Sequence, residues 1–459
     1  MTPPPGGTPR RVSALRARLG AAACLLVAAG ARSAAAQIPD STTTPDTSWN
    51  PDSTRAPVAA SSPSYRWQFD GAGLLYSEKG RAKVIEPQAR ITRLFPDGQT
   101  LSATLGLDVI TGASPTGAIP TTTVQTTTTP SGNVQTATAN EVPTHPFNDL
   151  REGLDLEWTK PFGGWLTPSL GTHFSREKDY RSVGGTAKLS VAMMRKLTTV
   201  TVGAGYNEDR VDPVGGTRAP LADGSVLLGT GANPKRVRSA LAGVSRVLTR
   251  RWLFGVTGSR STEHGYLTDP YKVISVLDTT GAPTSDVVTE SRPTSRTRYD
   301  VLASSVYHLT QNILYASYRY YWDDWGVTSH TADARYRVEL SNQSFFQPHI
   351  RYYFQTRANF FQFGLPQGAP LPEFATSDAR LGDLRTITLG ATYGFHPHAG
   401  PGEVTLRAEY LRQWGKGSGG DQDGGEFEGE GAPAASSGRI DFIPPESIGS
   451  IVVGYSIPF

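Results

Sequence analysis

From Ser64 onward the chain reads as sixteen segments in which apolar and polar residues alternate, the period of two that is typical of β-strands. In one of them Leu154 and Leu156 alternate with Asp155 and Glu157. The connections after even-numbered segments are all short, and the long ones follow odd-numbered segments: 113–146, 211–234, 264–294, 358–375 and 415–445. A random division of the chain would not sort connections by parity. The pattern predicts an all-β, transmembrane antiparallel β-barrel of about sixteen strands, with short periplasmic turns and long extracellular loops.

The last segment, Glu446–Phe459, ends the sequence on an aromatic residue. Ile451, Val453 and Tyr455 fall on one of its faces, while smaller residues fall on the other. An ordinary buried edge strand would also alternate in this way. Within a barrel, however, the segment suits the closing strand, with its apolar face toward outer-membrane lipid and its end available to the barrel-assembly machinery. An even strand number predicts that both termini are periplasmic.

The alternative fold is a soluble β-sandwich or propeller. The outward strand faces of such a protein should be polar, but here one face carries Leu, Val, Tyr and Ala throughout, and charges gather on the other. A helical membrane protein is excluded, because no run of about 20 apolar residues occurs beyond the N-terminus. We therefore expect lipid outside the barrel and water inside it.

The N-terminus predicts a secretory signal peptide over residues 1–36. Four arginines precede an apolar stretch from Leu19 to Gly30, and Ala34–Ala36 forms a cleavage site. Residues 37–63 are rich in Pro, Thr, Ser and Asp, which predicts a disordered periplasmic leader before a barrel domain of residues 64–459. Residues 1–36 hold five arginines and no acidic residue, so their removal changes the net charge from +3 to −2. The charge then gives no argument for nucleic-acid binding.

The chain has one cysteine, Cys24, and it lies within the predicted signal peptide. A lipoprotein signal is the alternative interpretation of the residues around it. If Cys24 is removed with the signal, then disulfides, thiolate zinc sites, thiol nucleophiles and covalent haem attachment through cysteines are excluded. We therefore expect no cofactor in the barrel itself.

The eleventh, twelfth, thirteenth and fifteenth segments carry the densest charge. Alternation places eight of their charged residues inside the barrel: Arg319, Asp333, Arg335, Arg337, Glu339, Arg351, Arg407 and Glu409. Arginines opposite carboxylates would pair across neighbouring strands. One interpretation is a salt-bridge lattice that stiffens or plugs the lumen. The other is a pore constriction whose field selects polar or anionic solutes.

Between two of these segments lies an extracellular tip that holds Asp323, Asp324 and His330. Adjacent carboxylates favour a hard cation, so Asp323 and Asp324 are a candidate cation site, for a metal that the sequence does not specify. A hydrolase using all three side chains is a further alternative. A capped turn between two tryptophans would explain the same residues without any chemistry.

The tip belongs to Tyr318–Thr331, which resembles a signature of an uncharacterised family, a domain of unknown function of predicted bacterial outer-membrane β-barrel proteins. The resemblance covers roughly Trp67 to Phe459. Six further segments support it: Val84–Pro87, Asp108–Pro115, Val211–Gly216, Gly265–Lys272, Ser291–Arg296 and Gln347–Tyr353. It implies an outer-membrane barrel, implies no catalytic residue, and suggests a periplasmic redox partner.

These observations predict a non-enzymatic outer-membrane barrel that acts as a channel or as a scaffold for partners. Two alternatives stay open. In the first, the barrel encloses a partner as a conduit for export or electron transfer, and any cofactor belongs to that partner. The third hypothesis is the surface hydrolase that uses Asp323, Asp324 and His330.

Overall fold

The computed structural model describes residues 66–121, 124–128, 134–139, 141–397, 401–415 and 445–459. The predicted signal peptide and leader, residues 1–63, therefore lie outside the described residues, as does most of the acidic connection 415–445. No helix among the described residues has the length and apolarity needed to cross a membrane.

The described residues form twenty-three strands and one short 3-10 helix, Ala379–Leu381. The first twelve strands are β1 (Trp67–Glu78), β2 (Lys83–Leu94), β3 (Thr100–Pro115), β4 (Gln125–Thr128), β5 (Val134–Ala137), β6 (Thr144–Thr159), β7 (Leu166–Arg176), β8 (Tyr180–Met193), β9 (Thr198–Val211), β10 (Thr217–Arg218), β11 (Leu227–Gly229) and β12 (Asn233–Thr249). The others are β13 (Trp252–Gly265), β14 (Val273–Leu277), β15 (Pro283–Thr289), β16 (Ser295–His308), β17 (Ile313–Asp323), β18 (Thr328–Ser341), β19 (Ser344–Gln355), β20 (Gly364–Pro366), β21 (Leu384–Phe395), β22 (Glu403–Gly415) and β23 (Glu446–Pro458).

Sixteen of these strands close into one antiparallel barrel, in the order β1-β2-β3-β6-β7-β8-β9-β12-β13-β16-β17-β18-β19-β21-β22-β23. The barrel is sealed where β23 pairs with β1, with Leu74 opposite Val452 and Gln68 opposite Pro458. Each strand therefore has a hydrogen-bonded neighbour on both sides, which leaves no open sheet edge. The predicted sixteen-strand antiparallel barrel is confirmed.

The two ends of the barrel differ. All five long connections, β3–β6, β9–β12, β13–β16, β19–β21 and β22–β23, leave the same end, which we call the loop end. The opposite end, the turn end, has only short connections, such as the one between β12 and β13. The parity of connection lengths in the sequence thus corresponds to the two ends of one cylinder.

The outer surface of the barrel is apolar and exposed. Leu75 on β1 is 54% exposed and Leu105 on β3 is 52% exposed, whereas small polar side chains such as Ser175 and Ser245 point inward and are buried. Leucine, valine and tyrosine alternate outward along the other barrel strands in the same way. A closed barrel with an apolar outside and a polar inside is the arrangement of a transmembrane barrel.

An aromatic cluster interrupts the aliphatic outer face near the loop end of β16–β19. Its members, which we call the aromatic girdle, are Tyr299, Tyr320, Trp322, His330 and Phe354. Tyr299 and Tyr320 each stack on Trp322 with ring centroids 5.3 Å apart, and the His330 ring lies 5.0 Å from that of Tyr320. Aromatic rings at this position mark the membrane–water interface in transmembrane barrels.

Three of the long connections fold together at the loop end, in a unit that we call the cap (residues 116–121, 266–294 and 356–383). In it β14 pairs with β15 and, in parallel, with β20. The hydroxyl of Ser275 accepts a hydrogen bond from the backbone N–H of Ile119 at 2.9 Å. Ile274, Leu365 and Ala375 pack as a small apolar core. The cap is therefore a packed structure with its own strands and core.

The structure differs from the sequence-based prediction in one strand boundary here. The alternating pattern predicts a strand from Thr376 to Phe395, but β21 begins at Leu384. Residues Thr376–Gly382 belong to the cap, where Asp378 caps the 3-10 helix by accepting from the Arg380 N–H. Most of these residues are buried in the cap, and the pairing of β21 with its barrel neighbours begins only at Leu384.

Candidate functional site

Asp333 on β18 is the centre of a charged cluster inside the barrel. Its carboxylate contacts His349 Nε2 at 2.7 Å, Arg351 Nε at 2.9 Å and Arg335 Nε at 3.3 Å. The other ring nitrogen of His349 lies 2.9 Å from Glu409 Oε1. One histidine thus bridges two carboxylates, and cations from two strands converge on one of them.

The structure brings five of the eight predicted interior residues into this cluster: Asp333, Arg335, Arg351, Glu409 and, through a 4.0 Å contact with Glu409, Arg407. The remaining three lie elsewhere.

Arg319 contacts Asp300 at 3.9 Å. Arg337 donates to Glu339 at 2.7 Å and lies 3.5 Å above the Phe345 ring. Both pairs are local, so they extend the charged interior without joining the Asp333 cluster.

The opposite half of the interior is also charged, and its ion pairs involve none of the eight residues predicted from the sequence. Glu157 on β6 lies between Arg90, at 3.6 Å, and Lys188, at 3.1 Å. Arg151 on the same strand contacts Asp108 at 3.5 Å and Glu177 at 3.7 Å. Alternation along each strand could have placed these residues inside. Their pairing depends on the register between strands, which a single sequence does not give.

A third interior cluster is the most deeply buried. Lys235 on β12 is 1% exposed and lies 4.0 Å from both Asp209 and Glu263. Glu263 is also paired with Arg298 on the next strand. Ion pairs are therefore distributed around the barrel wall, from β2 through β22.

The cap holds a buried ionic network of its own. Arg292 donates to Glu290 at 3.2 Å and to Asp378 at 2.8 Å. Arg380 donates to Asp378 at 2.6 Å and to Asp269 at 2.7 Å. Since these residues come from the connections β13–β16 and β19–β21, the network joins two loops that are distant in sequence.

The surroundings of this network shift the pKa values of two of its carboxyl groups in opposite directions. Burial raises the pKa of the Glu290 carboxyl to about 7, although Arg292 opposes the shift. Burial also disfavours the charged form of Asp378, but Arg380, Lys272 and Arg292 outweigh it and hold that carboxyl's pKa well below its usual range. Asp378 is therefore the charge on which the cap cations converge.

Lys272 attaches the cap to the barrel wall. Its ammonium group donates to Ser114 Oγ at 3.2 Å and to the Pro115 carbonyl at 2.5 Å, both at the end of β3. Burial lowers the pKa of this ammonium group. Through one side-chain acceptor and one backbone acceptor, Lys272 thus ties the cap to the end of β3.

Asp323, Asp324 and His330 are placed apart. The Asp323 carboxylate accepts from Arg296 at 2.7 Å, from the Tyr321 hydroxyl at 2.7 Å and from the N–H of Trp325 and Val327. Asp324 accepts from the Thr297 N–H at 2.9 Å. His330 belongs to the outward aromatic girdle, with its Nδ1 2.6 Å from the Tyr318 hydroxyl. Protein donors thus occupy both carboxylates, and the histidine faces away from Asp323.

Asp149, Glu177 and Asp179 form a carboxylate cluster near the loop end, with one ligand atom of each within 4.8 Å of the others. Burial is the main cause that raises the pKa of the Glu177 carboxyl to about 7. The Tyr271 hydroxyl donates to Asp179 at 2.5 Å, and Arg151 contacts Glu177 at 3.7 Å. Three carboxylates at this spacing suit a hard cation, and neighbouring protein groups contact two of them, Asp179 and Glu177.

Four of the segments that carry the family resemblance meet at the cap. Gly265–Lys272 and Ser291–Arg296 supply Asp269, Lys272 and Arg292, and Asp108–Pro115 supplies the groups that accept from Lys272. In Val211–Gly216, the Val214 N–H donates to the Tyr271 hydroxyl at 3.2 Å. These segments are distant in sequence, and the cap is the place where they come into contact.

Comparison with known proteins gives a family. A family model described as "Protein of unknown function (DUF3570)" matches residues 16–434. No curated protein matches the sequence.

Solved structures to which the chain is similar include the siderophore receptor PirA from Pseudomonas aeruginosa, with 8% identity and a TM-score of 0.37 over 77% of this chain and 57% of that one. PirA from Acinetobacter baumannii has 8% identity and a TM-score of 0.39 over 76% and 53%. Pseudomonas aeruginosa OccK3 (OpdO) has 11% identity and a TM-score of 0.38 over 85% and 95%. The chain thus spans little more than half the length of these two receptors.

Proposed function

The chain belongs to the family described as "Protein of unknown function (DUF3570)", and we propose that it is an outer-membrane channel for polar or charged solutes. The observation that carries the proposal is the charge around the interior wall. Ion pairs centred on Glu157, Glu263, Asp300 and Asp333 line strands from β2 to β22. A scaffold that only presented loops to partners would need no such lining.

The chemistry of the lining favours passage of hydrated ions or polar molecules. Carboxylates and guanidinium groups face each other across neighbouring strands, so a solute of either charge finds a compensating group on the wall. Around Asp333 the positive groups are Arg335, Arg351 and Arg407, against the carboxylates of Asp333 and Glu409. This local excess of guanidinium groups supports a preference for anions.

The orientation in the membrane is part of the proposal. We place the loop end outside the cell and the turn end in the periplasm, with both termini periplasmic. Residues 1–36 would be removed as a signal peptide, and residues 37–63 would precede the barrel as a leader. The barrel-assembly machinery would engage β23, the strand that pairs with β1 to seal the cylinder.

Neutralising the two central carboxylates should change ion selectivity. We expect the double variant Asp333→Asn, Glu409→Gln to conduct anions over cations about two- to threefold more strongly than the unaltered protein, because Arg335, Arg351 and Arg407 keep their charge. The measurement is the reversal potential of purified protein in planar lipid bilayers under a salt gradient.

The matched control is Glu152→Gln, Glu208→Gln, which removes two carboxylates from the exposed outer face. Its reversal potential should equal that of the unaltered protein. If both variants behave alike, the Asp333 cluster does not face the conduction path. If neither the unaltered protein nor Arg292→Met, which removes a buried ion pair of the cap, conducts ions, the channel proposal fails and the scaffold alternative takes its place.

A further inference from the structure

Three arginines form a row on the outer surface near the loop end. Arg176 on β7 is directly opposite Arg181 on β8, and Arg181 is directly opposite Arg210 on β9. All three are exposed, whereas the residues beside them, Ser175, Ser182 and Asp209, are buried and point inward. The row therefore lies on the face that also carries the lipid-facing side chains of these strands.

The row continues onto the next two strands. Arg236 and Arg238 on β12 and Arg260 on β13 are exposed on the same outer face, with Val244 further along β12 also exposed. We call these six residues the arginine row: Arg176, Arg181, Arg210, Arg236, Arg238 and Arg260.

The barrel itself does not neutralise this charge. In the part of the chain that the structure describes, no ion pair joins any of the six guanidinium groups to a carboxylate. Glu152 is opposite Arg176, and Glu208 is opposite Arg236, yet neither forms an ion pair with it. Like charges directly opposite each other on neighbouring strands are unfavourable, so the row needs anions from outside the chain.

Ring contacts place the row at the membrane–water interface. Arg260 lies 5.8 Å from the centroid of the Tyr299 ring, and Tyr299 stacks on Trp322 in the aromatic girdle. Arg181 lies 5.6 Å from the ring of Phe174 on the same outer face. The arginines thus continue the aromatic girdle around the barrel, at the depth where headgroups meet hydrocarbon.

We propose that the arginine row binds the phosphate groups of anionic lipid headgroups in the leaflet at the loop end. A guanidinium group matches a phosphate in a bidentate, charge-assisted pair. Three arginines in register on adjacent strands present their donors side by side, so a phosphate between two of them would relieve their mutual repulsion. An acidic protein is a weaker fit, because the surrounding surface is apolar and lies in the membrane.

The test compares lipid binding by the full chain and by Arg176→Gln, Arg181→Gln, Arg210→Gln, purified in neutral detergent. The matched control is Arg246→Gln, Arg250→Gln, Arg251→Gln, which removes three exposed arginines at the turn end. Phosphatidic acid and phosphatidylcholine are added separately, and bound lipids are counted by native mass spectrometry. We expect the row variant to bind phosphatidic acid at least about tenfold more weakly than the unaltered protein and the control.

Phosphatidylcholine should bind all three proteins equally, and millimolar inorganic phosphate should not displace phosphatidic acid. The proposal is overturned if the row variant and the control retain phosphatidic acid equally, or if the unaltered protein does not prefer it. Displacement by inorganic phosphate would also overturn it, since the site would then take a free anion. The single variant Arg181→Gln, expected to show a partial loss, serves if the triple variant does not fold.

Discussion

Replacing Arg292 by methionine should open the cap and leave the barrel closed. The Arg292 side chain is 0% exposed and donates to both Glu290 and Asp378. Its removal leaves Glu290 buried without its guanidinium partner, and breaking a buried ion pair on one side costs about 3–5 kcal/mol. The barrel hydrogen bonds do not involve this side chain, so the substitution should destabilise the cap and not the barrel.

Limited proteolysis gives the measurement. We expect cleavage within residues 266–294 to be accelerated at least tenfold, which corresponds to a loss of about 1.4 kcal/mol or more in the local stability of the cap. The barrel itself should keep its resistance to unfolding in detergent. If the barrel conducts ions, its conductance should rise as well.

The control is Arg357→Met, which removes an arginine from the β19–β21 connection, also part of the cap. Arg357 is 45% exposed and lies 3.9 Å from Asp383, a surface pair that contributes little. Its cleavage should match that of the unaltered protein. Equal protease resistance of the Arg292 and Arg357 variants would show that the buried network does not hold the cap closed.

Deleting Phe459 should impair assembly of the barrel. The Phe459 carbonyl accepts from the N–H of Trp67 at 2.9 Å and of Arg66 at 3.2 Å, and its own N–H donates to the Trp67 carbonyl at 2.8 Å. These three bonds end the seam between β1 and β23 at the turn end. Each contributes about 1 kcal/mol, and backbone groups left unpaired next to lipid cost more.

The measurement is the amount of folded protein in the outer membrane, seen as the heat-modifiable band on a gel. We expect the amount of folded protein to fall about tenfold or more, because about 3 kcal/mol of backbone hydrogen bonding is lost. Phe459→Tyr keeps the backbone and an aromatic ring, so it should assemble normally. Normal membrane levels of the deletion variant would contradict the role of this seam.

The architecture was predictable because a barrel imposes two simple rules on its sequence. Alternation assigns each side chain to the inside or the outside, so Asp333 and Arg335 could be placed in the lumen without knowing their partners. The parity of connection lengths separates the two ends. Neither rule depends on the exact start of a strand, so the error at Thr376 changed neither the strand number nor the closed barrel.

The cap could not be predicted in this way, since its contacts follow no period. Arg292 and Asp378 are 86 residues apart, and Lys272 donates to a carbonyl 157 residues away. The same holds for Asp323, which resembled half of a cation site in the sequence. Its partner Arg296 lies on the neighbouring strand β16, and only the register of β16 with β17 brings the two together.

The long range of the cap contacts has a consequence for folding. Ser377 donates to the carbonyl of Gly117, 260 residues away, and such a contact would carry a large entropic cost in an open chain. Once β23 has paired with β1, the strand ends that carry these loops are already held near one another. Most of the conformational entropy that the contact would cost has then already been lost. The cap should therefore form last and melt first. Unfolding in detergent should then proceed in two steps, with a cap-less cylinder as the intermediate.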